Sequence, residues 1–126
     1  MIIAIDFDGT CVTHEYPKTG KEIGAVPVLK DLVKNGHHLI LYTMRSGKEL
    51  HDAVIWFQKN EIPLYGVNKN PTQELWTESP KCYAELYIDD AALGTPLIYG
   101  DSYKIRSHVD WERVRGLLVG MDLLTQ

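Results

Sequence analysis

Four short apolar runs divide this chain, and each stops at a polar residue. They are the Ile-rich stretch from Ile2 into Asp6, "HLILYT" from His38 to Thr43, "PLYGV" from Pro63 to Val67, and "ELYIDD" from Glu85 to Asp90. The first is continuously apolar rather than alternating, as expected of a strand covered on both faces in a parallel sheet. Between the runs lie segments of helical period. Val26, Leu29, Leu32 and Val33 repeat at helical spacing, with Pro27 in the first turn and Asn35-Gly36 as the stop.

Leu50, Ala53, Val54 and Phe57 give a second amphipathic helix, and Ser46 with Glu49 has the form of a capping box at its start. Residues 68–80 hold two prolines and many polar residues and read as a loop, with a helical turn near Leu75 and Trp76. "PLIYG", residues 96–100, reads as a fifth strand. A last helix follows, capped by Asp110, with Val109 stapling to Val114 and an apolar stripe of Trp111, Val114, Leu118 and Met121. Strands alternating with helices predict an α/β fold: a three-layer, Rossmann-like, mostly parallel central sheet with helices on both faces. The 126 residues, without repeat or linker, are read as a single domain, 1–126.

Composition narrows the partners. With a net charge of −4 and dispersed Lys and Arg, no basic tract tracks a nucleic-acid backbone, although a nucleic-acid end stays open as a substrate. No apolar run approaches the roughly 20 residues that cross a bilayer, and no secretion signal is expected at the start. Cys11 and Cys82 lack metal-ligand spacing, so two reduced, semi-buried thiols and a cytoplasmic setting are expected.

In open α/β sheets, ligands bind beyond the carboxyl ends of the strands. The residues there are Asp6 and Asp8, then Thr43, Met44 and Arg45, then Asn68 and Lys69, then Asp89 and Asp90. A pair of acids spaced D-x-D is by itself a weak signal. Their joint placement at successive strand ends carries the reading. Four crowded carboxylates repel unless a counter-charge is present. Mg²⁺ takes oxygen ligands and shares them with a substrate phosphate, a site suited to phosphoryl transfer. An aspartate can serve as nucleophile and a second acid as the proton carrier. Gly9 lets the backbone approach a bound anion.

On these residues the chain resembles the haloacid dehalogenase (HAD) superfamily, most of whose members are Mg²⁺-dependent phosphatases. Asp6, Asp8, Gly9 and Thr10 match its D-x-D-G-T motif, "LILYT" with Thr43 its second motif, and "LYIDD" its fourth. The third motif is a lysine ahead of that strand; Lys81 is the first choice and Lys69 the second. The resemblance covers Ile2 to about Leu93. It implies a phosphate monoesterase working through an aspartyl-phosphate. Asp6 would attack phosphorus, and Asp8 would protonate the leaving oxygen, deprotonate the hydrolytic water and offer its carbonyl to Mg²⁺. Thr43 and Lys81 (or Lys69) would hold the phosphoryl group. Asp90 would ligate Mg²⁺ directly, and Asp89 through water or by orienting the lysine. Gly9, Thr10, Met44, Arg45 and Lys69 are the expected substrate-binding residues.

No cap domain fits between these motifs, since roughly thirty residues separate Thr10 from the second strand and a helix takes most of them. A capless site suggests a bulky phosphoester or an oligomer whose neighbour covers the site. The flap of residues 11–21, with His14, Glu15 and Tyr16, is the local source of specificity. Two competing readings are a phospho-acceptor domain of the response-regulator kind and a catalytically idle phosphate-binding domain. The first places its acid pair on strand one and its acceptor on a later strand, unlike D-x-D-G-T.

Overall fold

A four-stranded, all-parallel sheet in the order β3-β2-β1-β4 forms the centre of the protein. The structure, a computed structural model, describes residues 1–100 and 106–126. The strands are β1 (Ile2–Ile5), β2 (His38–Leu41), β3 (Gly66–Val67) and β4 (Leu86–Ile88), joined by helices α1 (Ala25–Lys34) and α2 (Gly47–Lys59). A 3-10 turn, Gln73–Leu75, lies between β3 and β4. Two further strands, β5 (Leu97–Ile98) and β6 (His108–Val109), precede α3 (Trp111–Gly120). The register puts Ala4 beside Ile40 and Tyr87, so β1 is central and has a parallel neighbour on each side. Both edges of β1 therefore end at the same rim, which is what brings Asp6 and the Asp89-Asp90 pair together.

Period-two alternation sorts the side chains. Ile3, Ile5, Leu39, Leu41 and Ile88 join the main buried cluster with residues of all three helices, Leu29 and Leu32, Ala53 and Phe57, Trp111 and Leu118 among them. Phe7, just past β1, is fully buried and meets Trp56 edge-on at 5.6 Å and 75°. Such a pair adds about 0.5–1.5 kcal/mol beyond its area burial. Ala4, Ile40 and Tyr87 point to the opposite face. There the outer layer is the crossover of residues 68–85 with its 3-10 turn; the Tyr87 hydroxyl donates to the Cys82 carbonyl at 2.6 Å and accepts from Ala84 N at 3.2 Å. The buried Gln73 amide pins this layer by bonding Lys81 O at 2.6 Å and Tyr83 N at 2.7 Å. Among the described residues, no helix is long and apolar enough to cross a membrane.

Several local expectations change. The fifth strand forms at residues 97–98 and pairs antiparallel with His108–Val109 in a ribbon separate from the parallel sheet. That ribbon supports the site, because Val109 N donates to Gly9 O at 2.9 Å. The capping box at α2 does not close. Ser46 occupies the N-cap without a side-chain bond; its carbonyl accepts from Leu50 N at 3.1 Å, and Gly47 follows it with φ +55. At α1, Glu22 does the capping, its Oε1 accepting from Gly24 N at 2.8 Å and Val26 N at 2.9 Å. Asp110 caps α3 as expected, accepting from Arg113 N at 3.2 Å. Met121 leaves the buried stripe and is 49% exposed. Both cysteines are free and buried, and burial and the nearby Asp6 charge push the Cys11 thiol well above its usual range.

Candidate active site

The site starts where β1 runs out. Asp6 N still donates to Ile88 O at 3.0 Å, so the ladder between β1 and β4 holds this residue rigidly. The chain then folds into a tight turn in which Thr10 N and Cys11 N both bond the Phe7 carbonyl, at 3.1 and 2.8 Å. Gly9 takes φ +78 in this turn. A Cβ built there would fall 2.0 Å from His14 Nε2 and 2.6 Å from Asp90 Oδ2. Glycine is needed at this position for the approach of two side chains as well as for its dihedral.

Oxygens of Asp6, Asp89 and Asp90 lie within 4.8 Å of one another. The Thr10 hydroxyl ties two of these acids together. It donates to Asp6 Oδ2 at 2.8 Å, lies 3.3 Å from Asp90 Oδ1, and accepts from Asp90 N at 3.0 Å. Trp111, at the start of α3, secures Thr10 from behind by donating Nε1–H to its carbonyl at 2.6 Å. Burial, with the Asp89 charge second, pushes Asp6 up to about 8 from 3.8, against the lowering bond from Thr10. Burial also raises Asp89, with the Asp90 charge adding to it. The cluster therefore favours a proton or a cation among its oxygens.

Asp8 stands apart from this cluster. Both its oxygens accept from Arg45, Oδ2 from Nε and Oδ1 from Nη2, each at 2.8 Å. Arg45 is 3% exposed and is not open to a substrate, which corrects the expectation of a substrate contact. The reason is local: Phe7 and the Tyr16 ring cover its guanidinium on centroids 4.9 and 5.3 Å away. Thr10 and Gly9 are corrected likewise. Thr10 is fully buried with its hydroxyl spent on the two aspartates, and Gly9 gives its N–H to Val12 O at 2.7 Å. They shape the site and do not line it.

Thr43 follows β2 with its N–H donating to Asn68 Oδ1 at 2.8 Å and its hydroxyl accepting from Arg45 N at 3.1 Å. Met44 beside it is 98% exposed. The two candidate lysines go to different places. Lys69 lies in a polar cleft of about 480 Å³ with Asn68, Asn70 and Glu74 and none of the four aspartates. Lys81 stands 5.7 Å over the Tyr87 ring, and Tyr87 lines a crevice of about 200 Å³ together with Asp6 and Asp89. Neither lysine forms an ion pair among the described residues.

From the sequence His14 is a flap residue within reach of a leaving group, and nothing there ties it to Asp90. Its Nε2 lies 2.9 Å from Asp90 Oδ2, and both side chains are largely shielded, at 12% and 16% exposure. Glu15 serves the flap itself, accepting from the Thr13 hydroxyl at 2.6 Å. Trp111 was legible only as a core residue, because its bond to Thr10 spans a separation of 101 residues.

Among solved structures, the chain is similar to a conserved protein from Bacteroides thetaiotaomicron, with 36% identity over 96% of this chain and 91% of that one, and a TM-score of 0.78. The chain belongs to the family of that conserved bacterial protein. No protein-family model matches the chain, and no curated protein does. At this identity the α/β architecture is a shared feature of the family.

Proposed function

We propose that this protein is a HAD-type, Mg²⁺-dependent phosphatase that hydrolyses a phosphate monoester through an aspartyl-phosphate on Asp6. The observation that carries the reading is the convergence of Asp6, Asp89 and Asp90 at the carboxyl ends of two adjacent parallel strands, their oxygens within 4.8 Å. These are hard oxygen donors whose mutual repulsion a divalent cation relieves, so the donor set fits Mg²⁺. When bound, Mg²⁺ would neutralise phosphoryl charge and orient the phosphate. Asp6, Asp89 and Asp90 would hold it, with the Asp8 carbonyl.

The remaining steps belong to side chains. The β1–β4 ladder fixes Asp6, so its carboxylate meets phosphorus with little freedom left to lose. As the ester P–O bond breaks, Asp8 gives its proton to the leaving oxygen. It then takes a proton from the water that attacks the aspartyl-phosphate. Thr43 binds the phosphoryl oxygens and Lys81 balances their charge. Lys81 stands over the ring of Tyr87, which lines the crevice that holds Asp6, whereas the cleft of Lys69 holds none of the aspartates; this favours Lys81. Met44 and Tyr16 of the flap are exposed and would be open to a leaving group, which suits a bulky phosphoester or a site that a second copy covers. The two free cysteines support a cytoplasmic setting.

The test is a panel of sugar phosphates, nucleotides, 3′-phosphorylated oligonucleotides and an aryl phosphate, with Mg²⁺ and with EDTA. Mg²⁺-dependent release of phosphate, lost in Asp6→Asn, is expected. A folded protein inactive on the whole panel would overturn the reading.

A further inference from the structure

Arg45 has an unusual load of bonds for a residue just past a strand end. Nε and Nη2 grip the two oxygens of Asp8 at 2.8 Å each, Nη1 donates to Glu49 O in α2 at 3.1 Å, and Nη2 also donates to Lys18 O in the flap at 2.6 Å. Its side chain is 1% exposed, whereas that of Asp8 keeps 20%. The fork is thus anchored to two separate elements and buried, and the acid it grips reaches solvent. Planar, bidentate pairing fixes a carboxylate in orientation as well as position, which a lysine cannot do.

We propose that Arg45 is a positioning residue that aims the Asp8 carboxyl at the leaving-group oxygen; this rests on the phosphatase reading above. A carboxyl group has about four lone-pair sites, and Arg45 occupies two. One of the others is free to carry the proton. That proton passes to the ester oxygen as the P–O bond breaks and the phosphoryl group bonds to Asp6. Asp8 is left as a carboxylate facing the guanidinium, and it is recharged by the proton of the water that then attacks phosphorus and releases Asp6. The Lys18 carbonyl and the Tyr16 ring bring the flap into the same arrangement, so the segment over the leaving group and the acid that serves it share one anchor.

The sequence alone makes Arg45 look like a phosphate contact. Burial and the engagement of all three guanidinium nitrogens separate the two roles. A phosphate-binding arginine would affect all esters alike. An arginine that aims the acid should matter most where the leaving oxygen most needs a proton.

The experiment compares kcat/KM on an alkyl phosphate, a poor leaving group, and an aryl phosphate, a good one, for wild type, Arg45→Gln, Asp8→Asn and the double variant. Arg45→Gln should lose roughly 10-fold or more on the alkyl ester beyond its loss on the aryl ester, a share of what a general acid supplies. In the Asp8→Asn background it should add almost nothing, because the two residues act as one unit. Equal losses on both esters, or additive losses in the double variant, would overturn the role of Arg45 and leave the phosphatase reading standing. No hydrolysis by wild type would overturn that reading and this proposal with it. If Arg45→Gln does not fold by circular dichroism, Arg45→Lys takes its place, since it keeps charge and stem but cannot span both oxygens. The same excess loss on the alkyl ester is then expected, and equal losses on the two esters would again overturn the role of Arg45.

Discussion

Asp6→Asn should abolish turnover and, in the absence of metal, stabilise the protein. Burial and the Asp89 charge lift the Asp6 carboxyl from 3.8 to about 8 in the folded state. Between those two values the folded protein keeps a proton that the unfolded chain releases, so stability falls as pH rises across that window and levels off above it. By pH 7 about three units have been crossed, and at ~1.4 kcal/mol per unit the loss is at most roughly 4 kcal/mol. Asp89 shares the same field, so a net figure of about 2–4 kcal/mol is the working value. Asparagine has nearly the same shape, its Oδ1 still accepts from the Thr10 hydroxyl, and it does not ionise. At pH 7 in EDTA the variant should therefore melt roughly 10 °C above wild type, and at pH 4.5 the two should nearly coincide. Adding Mg²⁺ should raise the wild-type Tm and close the gap, while the variant responds little. Thermal melts at the two pH values, with and without Mg²⁺, read all of this. A variant no more stable than wild type at pH 7, or equally stabilised at both pH values, would refute the electrostatic account of the cluster.

Three other outcomes follow from single contacts. His14→Ala frees Asp90 Oδ2 from a 2.9 Å partner and should weaken Mg²⁺ binding about 10-fold by titration calorimetry, as loss of an orienting partner does; unchanged affinity would detach His14 from the site. Gly9→Ala drives a Cβ to 2.0 Å from His14 Nε2 at φ +78 and should cost about 2 kcal/mol or more in urea unfolding, along with most Mg²⁺ affinity. Trp111→Phe leaves the Thr10 carbonyl without its 2.6 Å donor and should cost roughly 1–3 kcal/mol, with Tm falling more than expected for the change in volume.

The fold was legible because it rests on repeated signals. Apolar runs and helical periods place β1, α1, β2, α2 and α3 within a residue or two of their observed ends. Residues 97–98 form the strand their sequence suggests, but two apolar residues carry no sign of partner direction, and theirs is an antiparallel ribbon with residues 108–109. Ser46 and Glu49 have capping-box spacing, but spacing does not fix side-chain orientation, and the Ser46 side chain makes no cap bond. The candidate site was legible as a set of strand ends. Asp6, Asp89 and Asp90 meet because β1 and β4 are neighbours in register. The division of labour within the set was not legible. Arg45 and Thr10 look like ligands of a phosphate until burial and their hydrogen bonds show them holding Asp8 and Asp6. His14 reaches Asp90 across 76 positions of sequence, and only the space left by Gly9 hints at it.

The central claim is that Asp6 is the nucleophile, and chemical trapping tests it most directly. Wild-type enzyme turning over an aryl phosphate with Mg²⁺ would be acid-quenched and treated with borohydride, which reduces an acyl phosphate to an alcohol. The peptide containing Asp6 and Asp8 would then be sequenced by mass spectrometry. Homoserine is expected at position 6, and none at position 8 or in enzyme quenched without substrate. Steady hydrolysis with position 6 unmodified, or with the label on Asp8, Asp89 or Asp90, would contradict the claim.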